Sequence, residues 1–308
     1  MPPLFFFCFK YYNFDIPKNI NIGGGEIGQA LANLLSAHEP VIFDKDETKS
    51  TADRPLAELL AEAEIIFLAI PTRALLLVGK EISTQLKPET VVVSVSKGAG
   101  AEGDFSWEIL TEVLPNNPLV FMGGPILAEE IKLGKKAGAI LGSESAEARL
   151  VVREIFANSN LLLKESDDAK GVALAGLLKN IYALGLAVAE EVGVGDNTKG
   201  ALVTSALAET AELLVSFGGK AATAYSLAGL GDLVATSSSE HSRNRAAGRD
   251  LVRVGKCCIE SEGSLALPLV WPRLENKLAD LPFLAAIGEV IVHGKNPKNV
   301  FENILERL

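Results

Sequence analysis

The strongest restriction on the fold comes from short apolar runs that alternate with segments of helix length. Between residues 19 and 165, the runs with the length and composition of strands are NINIG, PVIFD, EIIFLAI, TVVVSVS, PLVFMG, AGAILG and LLLKE. Strands that alternate with helices form right-handed βαβ units, in which the strands lie parallel. The first half of the chain is therefore predicted to be α/β, with a parallel sheet.

The strand pattern fades after about residue 166, where helical periodicity replaces it. The predicted helices cover residues 168–192, 198–217, 241–255, 283–293 and 297–307. Between the two patterns lies the polar stretch KESDDAK, which suits a short linker. We therefore predict two domains, residues 1–165 and residues 166–308, of which the second is all-helical.

Charge and cysteine content limit the partners and the compartment. A formal net charge of −10 leaves no basic field to attract a nucleic acid, so no such partner is expected. The cysteines Cys8, Cys257 and Cys258 fit neither a disulfide framework nor a zinc site, which predicts a reducing cytoplasm and no metal. The purely apolar runs fall well short of the roughly 18 residues of a membrane span, and none is predicted.

The first residues, MPPLFFFCFKYYNFDIPKN, contain seven of the aromatic side chains. This segment lacks a basic leading region and a clear small-residue cleavage site, so it does not read as a signal peptide. We interpret it as an aromatic N-terminal extension, or a start upstream of the natural one, that packs on the first strand. A membrane-touching segment is the alternative.

A glycine-rich turn follows the first predicted strand and opens the helix EIGQALANLLSAH, the context that a dinucleotide-binding fingerprint requires. Gly23 allows the tight turn, Gly25 lets the backbone approach a pyrophosphate, and Gly28 permits close packing of helix and sheet. The helix N-terminus adds amide donors and a positive dipole end. Glu26 departs from the pattern, because a carboxylate in this loop must turn outward or repel the ligand. We predict a Rossmann-type domain; a glycine-rich turn without a ligand is the alternative.

Three further positions follow predicted strands, where parallel sheets place their ligands. Asp44 ends PVIFD, 16 residues after Gly28, close to where an acidic residue accepts hydrogen bonds from an adenosine ribose. Because DKDE follows, a turn-forming aspartate is the alternative. Lys97 in SVSKGAG is either a ligand contact or a solvated loop residue. Gly124 begins a rigid glycine–proline junction that could line the same crevice.

The run LAGLLKNIYALG reads as a buried helix, yet it carries Lys179. At helical spacing its neighbours are Ala175 and Gly176 one turn before and Tyr182 and Ala183 one turn after, and the small ones leave space beside the ammonium group. A lone lysine on an apolar helix usually extends its head to water, which is the alternative here.

The segment AGLGDLVATSSSEHSRNRAAG places Asp232 after a glycine pair and Arg243 with Asn244 at the start of a helix. Each of these residues alone is more often structural. Together with Lys179 and a dinucleotide domain, they predict a site in which a carboxylate, a lysine and an arginine–amide pair converge.

The segments LLKNIYALG, GDNTKGALVTSALAE, AGLGDLVATSSSEHSRNR and IVHGKN closely resemble the NAD(P)-dependent glycerol-3-phosphate dehydrogenases of the prokaryotic type, over residues 19–308. The resemblance implies a Rossmann domain followed by a helical substrate domain. It also implies reversible conversion of dihydroxyacetone phosphate to sn-glycerol 3-phosphate with NAD, or with NADP, feeding glycerophospholipid synthesis. The partner is then a small phosphorylated substrate, and a homodimer is a candidate assembly that the sequence leaves open.

The resemblance also implies residue roles. Lys179 is the general acid/base, Lys97 is a second lysine near substrate and cofactor, and Asp232 orients Lys179. The implied substrate-binding residues are Lys97, Gly124, Lys179, Asp232, Thr236, Ser242, Arg243 and Asn244. The implied cofactor-binding residues are Gly23, Gly25, Glu26, Ile27, Gly28, Asp44, Lys45, Lys97, Ala128, Arg243 and Glu262. Ile126 stands where the family usually has Ser or Thr, and Glu26 with Ile27 replaces the family's usual pair in the phosphate loop.

Two other functions remain open from the sequence. One is a related dehydrogenase, such as a ketopantoate reductase or another hydroxy-acid enzyme, against which Arg243 and Asn244 after the GLGD segment argue. The other is a catalytically impaired nucleotide-binding homologue, for which Glu26 and Ile126 would be the signs. The presence of Lys97, Lys179, Asp232 and Arg243 together argues against impairment.

Overall fold

A computed structural model describes residues 18–308 of the chain. The aromatic segment of residues 1–17, which includes Cys8, lies outside the described residues. The interpretation of that segment as an N-terminal extension therefore stays a prediction.

Each predicted apolar run forms a strand, and within residues 18–308 the seven strands make one sheet of order β2-β1-β3-β4-β5-β6-β7. The order reverses direction between β1 and β3, which is the switch point where open α/β sheets bind ligands. The predicted Rossmann-type fold is confirmed. The strands are β1 (Asn19–Ile22), β2 (Val41–Phe43), β3 (Ile65–Leu68), β4 (Val91–Ser94), β5 (Leu119–Gly123), β6 (Ala137–Gly142) and β7 (Leu161–Ser166).

The sheet departs from the predicted all-parallel arrangement at β6, which pairs antiparallel with β5. The connection between them contains only a five-residue helix, Ala128–Lys132. Such a helix rises roughly 7–8 Å, whereas a return along a five-residue strand needs roughly 16 Å. The chain therefore enters β6 at the end of the sheet where β5 stops. The pair β6 and β7 is parallel again.

Helices follow the strands of the first half. They are α1 (Glu26–Leu34), α2 (Leu56–Glu62), α3 (Leu75–Ser83), α4 (Ser106–Val113), α5 (Ala128–Lys132) and α6 (Ala146–Ile155). Shorter 3₁₀ turns lie at Ser36–His38, Glu47–Lys49 and Thr72–Ala74.

After β7 the described chain is helical, as predicted. The helices are α7 (Ala169–Val192), α8 (Asp196–Ser216), α9 (Asp232–Ser238), α10 (Arg243–Val254), α11 (Glu262–Leu274), α12 (Pro282–Ile291) and α13 (Pro297–Phe301). Turns of 3₁₀ type lie at Ala221–Tyr225, Glu275–Asp280 and Ile304–Glu306, and a π-helical turn at Leu227–Gly231 leads into α9.

The 24-residue α7 is the central helix of the second half. It packs against α8, α9, α10 and α11, and also against β5 and β6 of the sheet. Among residues 18–308 it is the one helix long and apolar enough to cross a membrane, and its most apolar window is entirely buried inside the protein. The apolar character of α7 is thus explained by the core it occupies.

Helix α11 was not predicted from the sequence because Pro268 and Pro272 lie inside it. Proline removes a backbone donor and normally ends a helix. Here the helix continues because one face, which includes Leu267, Val270 and Leu274, is buried and packs against α7. Tertiary packing overrides the local preference.

In the described part of the chain, the buried apolar side chains form two clusters. Successive side chains of a strand point to opposite faces, so Ile66 and Leu68 belong to one cluster and Ile65 and Phe67 to the other. The first cluster continues into α7 and the other helices of the second half. The sheet and the helices therefore share apolar packing across the predicted 165/166 boundary, which falls at the end of β7.

Candidate active site

A cavity of about 520 Å³ opens at the carboxyl ends of β1, β3, β4 and β5. Its walls come from the sheet on one side and from α7, α9, α10 and α11 on the other. The predicted site residues that line it are Glu26, Ile27, Lys97, Ala128, Lys179, Asp232, Arg243 and Glu262. The structure thus brings together residues that were selected from distant segments of the sequence.

The glycine turn has the geometry that the fingerprint predicts. Gly23 has φ +108°, and a Cβ there would meet the carbonyl group of Ala69. A Cβ on Gly28 would overlap the carbonyl oxygen of Gly23, so close packing of helix and sheet needs this glycine. A Cβ on Gly25, the residue that precedes α1, would have no heavy atom within 4 Å. The open backbone at Gly25, beside the helix N-terminus, fits a pyrophosphate.

Asp44 lies directly after β2, beside the glycine turn. One carboxylate oxygen accepts a hydrogen bond from the Gly24 amide at 2.6 Å, and the other accepts one from the Asp46 amide at 2.9 Å. The aspartate therefore forms the turn and also faces the loop. Lys45, the next residue, is exposed. A carboxylate can accept further bonds, so this geometry is compatible with a ribose contact, which stays a prediction.

Lys97, Lys179 and Asp232 form one hydrogen-bonded group. The two carboxylate oxygens of Asp232 lie 2.7 Å from Lys97 Nζ and 3.0 Å from Lys179 Nζ. Lys97 Nζ also donates to the carbonyl oxygen of Gly124 at 2.8 Å, and Lys179 Nζ donates to the hydroxyl of Thr236 at 2.8 Å. Lys179 therefore does not extend to bulk water. Its ammonium group is held at the cavity wall.

Burial lowers the pKa of Lys179 from 10.5 to about 8, and it outweighs the attraction of Asp232. The positive charge of Lys97 lowers the Lys179 pKa further. Burial alone would raise the pKa of Asp232, but the two ammonium groups outweigh it and leave that pKa lowered. Asp232 is thus held as a carboxylate, while Lys179 titrates near pH 8. Such a lysine can exchange a proton with a substrate.

The start of α10 carries the predicted phosphate residues. Ser242 caps the helix, with its hydroxyl accepting a bond from the Arg245 amide at 3.4 Å. Arg243 is exposed and lines the cavity. Asn244 is buried instead, and its side chain donates to Asn180 Oδ1 at 2.9 Å and accepts from the Gly263 amide at 3.0 Å. Of Ser242, Arg243 and Asn244, only Arg243 therefore lines the cavity, and its guanidinium supplies the hydrogen-bond donors there.

Asn180 and Thr72 are among the cavity residues that received no role from the sequence. Asn180 is 4% exposed, lines the cavity and donates from Nδ2 to the carbonyl oxygen of Lys97 at 3.0 Å. Thr72 also lines the cavity, and its hydroxyl accepts from the Gly98 amide at 2.9 Å. An amide next to Lys179 inside an apolar helix was the available signal for Asn180. A single threonine in a loop gave no comparable signal for Thr72.

Glu262 begins α11 and enters the cavity from the helical half. Burial raises the pKa of its carboxyl group, against the opposing positive charges of Arg73, Lys179 and Arg243.

Ile126 contributes an apolar side chain to the cavity wall and is 6% exposed. Within residues 18–308, no group of three or more His, Cys, Asp or Glu residues is placed to hold a metal ion.

A dinucleotide-type sheet that shares a cavity with a buried lysine and carboxylate defines this protein as an oxidoreductase of the dehydrogenase class. Residues 46–149 match the family description "NAD-dependent glycerol-3-phosphate dehydrogenase N-terminus", and residues 168–302 match the corresponding C-terminus. The chain belongs to the family of NAD-dependent glycerol-3-phosphate dehydrogenases.

Individual relatives agree with the family. The glycerol-3-phosphate dehydrogenase (NAD(P)+) of Clostridium perfringens strain SM101 is 33% identical over 320 residues, covering 93% of this chain and 96% of the relative. The crystal structure of a Coxiella burnetii glycerol-3-phosphate dehydrogenase has a TM-score of 0.84 at 23% identity, covering 94% of this chain and 99% of its own.

A ketopantoate reductase from Ralstonia eutropha shares the fold more distantly. Its TM-score is 0.58 at 14% identity, with 91% of this chain and 99% of that chain covered. The family match and the curated relatives favour glycerol-3-phosphate dehydrogenase over the ketopantoate alternative.

Proposed function

We propose that this enzyme interconverts dihydroxyacetone phosphate and sn-glycerol 3-phosphate by hydride transfer with NAD(H), with NADP(H) as an alternative cofactor. The observation that carries the proposal is the buried Lys179, held by Asp232 at the wall of a cavity that also contains Arg243. Family membership supports it. To test it, the purified protein is given dihydroxyacetone phosphate and NADH, and the product is identified. Formation of sn-glycerol 3-phosphate is expected; its absence, or the opposite enantiomer, would contradict the proposal.

The proton transfer is assigned to Lys179. When bound, the nicotinamide cofactor would supply or accept the hydride at the substrate carbon. During reduction, the Lys179 ammonium gives a proton to the ketone oxygen, and during oxidation the neutral amine takes a proton from the hydroxyl. Asp232 holds Lys179 in place, and Lys97 shares the same carboxylate. The positive charge of Lys97 then stabilises the developing negative charge on the oxygen.

Substrate recognition is assigned mainly to Arg243. Its guanidinium offers the paired donors that a phosphate prefers, and the first amides of α10 add donors at a helix N-terminus. Ser242 and Asn244 position this terminus through the bonds already described. Thr236 and Gly124 contact the two lysines. We assign Ser242, Asn244, Thr236 and Gly124 to the substrate site because they position the helix N-terminus and the two lysines.

Cofactor binding is assigned to the carboxyl edge of the sheet. The turn from Gly23 to Gly28, which includes Ile27, and the N-terminus of α1 would hold the pyrophosphate. Ala128 lines the same cavity at the start of α5. Glu262 approaches from α11. Asp44 and Lys45 are assigned to the adenosine ribose.

The pH dependence should reverse between the two reaction directions. Reduction needs the protonated Lys179, so its rate is expected to fall as the pH rises through about 8, the pKa of this residue. Oxidation needs the neutral amine, so its rate is expected to rise through the same range. Single-turnover rates measured in both directions between pH 6 and pH 10 test this. Parallel pH profiles would contradict the proton-transfer role.

Cofactor preference should depend on Asp44. A carboxylate there can accept bonds from both ribose hydroxyls, whereas the 2′-phosphate of NADPH would meet repulsion. Lys45 offsets part of that repulsion, so we expect a preference for NADH of roughly tenfold to a hundredfold. The Asp44→Ser variant should show a smaller preference for NADH, or a preference for NADPH. Equal kcat/KM values for both cofactors in the unmodified protein would mean that Asp44 only forms the turn.

We also propose the domain division at 165/166, a cytoplasmic location and a role in supplying glycerophospholipid synthesis. The first is supported by family matches that lie on either side of the boundary. The others rest on family membership. The homodimer considered from the sequence stays a prediction.

A further inference from the structure

Glu26 occupies an unusual place for a carboxylate. It is the first residue of α1 and directly follows Gly25, the residue with open space beside its backbone. The side chain is exposed and lines the cavity. Within residues 18–308, Glu26 has no hydrogen-bond or ion-pair partner for its carboxylate. The negative charge is therefore not neutralised by a neighbouring side chain.

Two effects of this charge oppose each other. An acidic residue in the first turn of a helix is favourable, because it faces the positive end of the helix dipole. The same positive end and the same free amides form the surface that binds a pyrophosphate. Glu26 therefore stabilises α1 when the site is empty, and it repels the phosphates when they approach.

We propose that Glu26 sets the affinity of this enzyme for its dinucleotide, weakening the binding of NADH and NADPH by the same factor. This inference rests on the proposed function. The factor is the same for both because the pyrophosphate is common to the two cofactors. Asp44 acts differently, because it is assigned to the adenosine ribose, where NADPH carries a 2′-phosphate and NADH does not. Glu26 thus acts on affinity and Asp44 on selectivity.

Isothermal titration calorimetry of the unmodified protein and the isosteric variant Glu26→Gln tests the inference without turnover. At low ionic strength we expect Glu26→Gln to lower the Kd of NADH and of NADPH by about threefold to tenfold, with their ratio unchanged. At about 0.5 M salt the gain should fall below roughly twofold, because screening weakens the repulsion. The melting temperature of the ligand-free variant should not rise, because the variant loses the favourable helix-dipole contact.

Two further variants separate charge from other causes. Glu26→Asp keeps the charge and should bind both cofactors with a Kd close to that of the unmodified protein. Glu81→Gln changes the net charge equally but lies in the last turn of α3, a helix that begins at the carboxyl edge of the sheet and runs away from it. It should leave both Kd values unchanged.

The outcomes distinguish this inference from the proposed function. No detectable binding of NADH by the unmodified protein would contradict both. Binding that is unaffected by Glu26→Gln, or that improves equally in Glu26→Asp, would overturn the inference alone. An improvement for one cofactor only would also overturn it, because the pyrophosphate would then not be the group that is repelled.

Discussion

Replacement of Lys179 by methionine is expected to lower kcat for dihydroxyacetone phosphate reduction by roughly 10²-fold or more, because the variant lacks the transferable proton. Methionine keeps the length and apolar packing of the side chain. Asp232 keeps its contact with Lys97 at 2.7 Å, so its carboxylate does not become unpaired. The variant should therefore fold, and its far-UV circular dichroism and its NADH affinity should match those of the unmodified protein.

The matched control is Lys170→Met, the same substitution in the same helix. Lys170 lies at the start of α7, with its ammonium group 4.8 Å from the ring centre of Trp107, and it does not line the cavity. Its kcat should remain close to that of the unmodified protein. If the folded Lys179→Met variant reduced the substrate at the control rate, Lys179 would be a structural residue of the helix.

Replacement of Arg243 by alanine is expected to lower kcat/KM for dihydroxyacetone phosphate roughly 30-fold to 10³-fold. This loss corresponds to about 2–4 kcal/mol of transition-state stabilisation. The physical reason is the loss of a charge-assisted contact with the substrate phosphate. The effect should appear mainly in KM. Arg249→Ala, an exposed arginine in the same helix, should change neither constant appreciably.

Unphosphorylated dihydroxyacetone separates phosphate binding from other roles of Arg243. This substrate lacks the group that the arginine contacts, so its low kcat/KM should be nearly unchanged in Arg243→Ala. Equal proportional losses for both substrates would show that Arg243 supports the structure or the cofactor and does not recognise the phosphate.

The strands of this fold were predictable because apolar runs of strand length stand between turn residues, and each one became a strand. The direction of β6 was not predictable from its own composition. It depends on the length of the preceding helix, and the sequence pattern did not resolve the five-residue α5. The helix α11 was hidden by Pro268 and Pro272, whose local effect is overcome by burial against α7.

The candidate site was predictable where a residue type conflicts with its surroundings. Lys179 in an apolar helix is such a conflict, and it lines the cavity. The glycine turn was recognised instead from its position between β1 and α1, and Glu26 and Ile27 of that turn line the same cavity. The family resemblance extended this set to Ala128 and Glu262, which also line the cavity. Thr72 was missed because its contact with the Gly98 amide joins segments 26 residues apart, and no local pattern encodes such a contact.

The proposed reaction is best tested by following NADH oxidation by the purified protein, with dihydroxyacetone phosphate and with ketopantoate as parallel substrates. The two compounds are both ketones, but only the first carries the phosphate that Arg243 is proposed to bind. The proposed function predicts a kcat/KM for dihydroxyacetone phosphate that exceeds the value for ketopantoate by at least about 10²-fold, the size expected for a lost charge-assisted contact. Comparable values, or faster oxidation with ketopantoate, would contradict it.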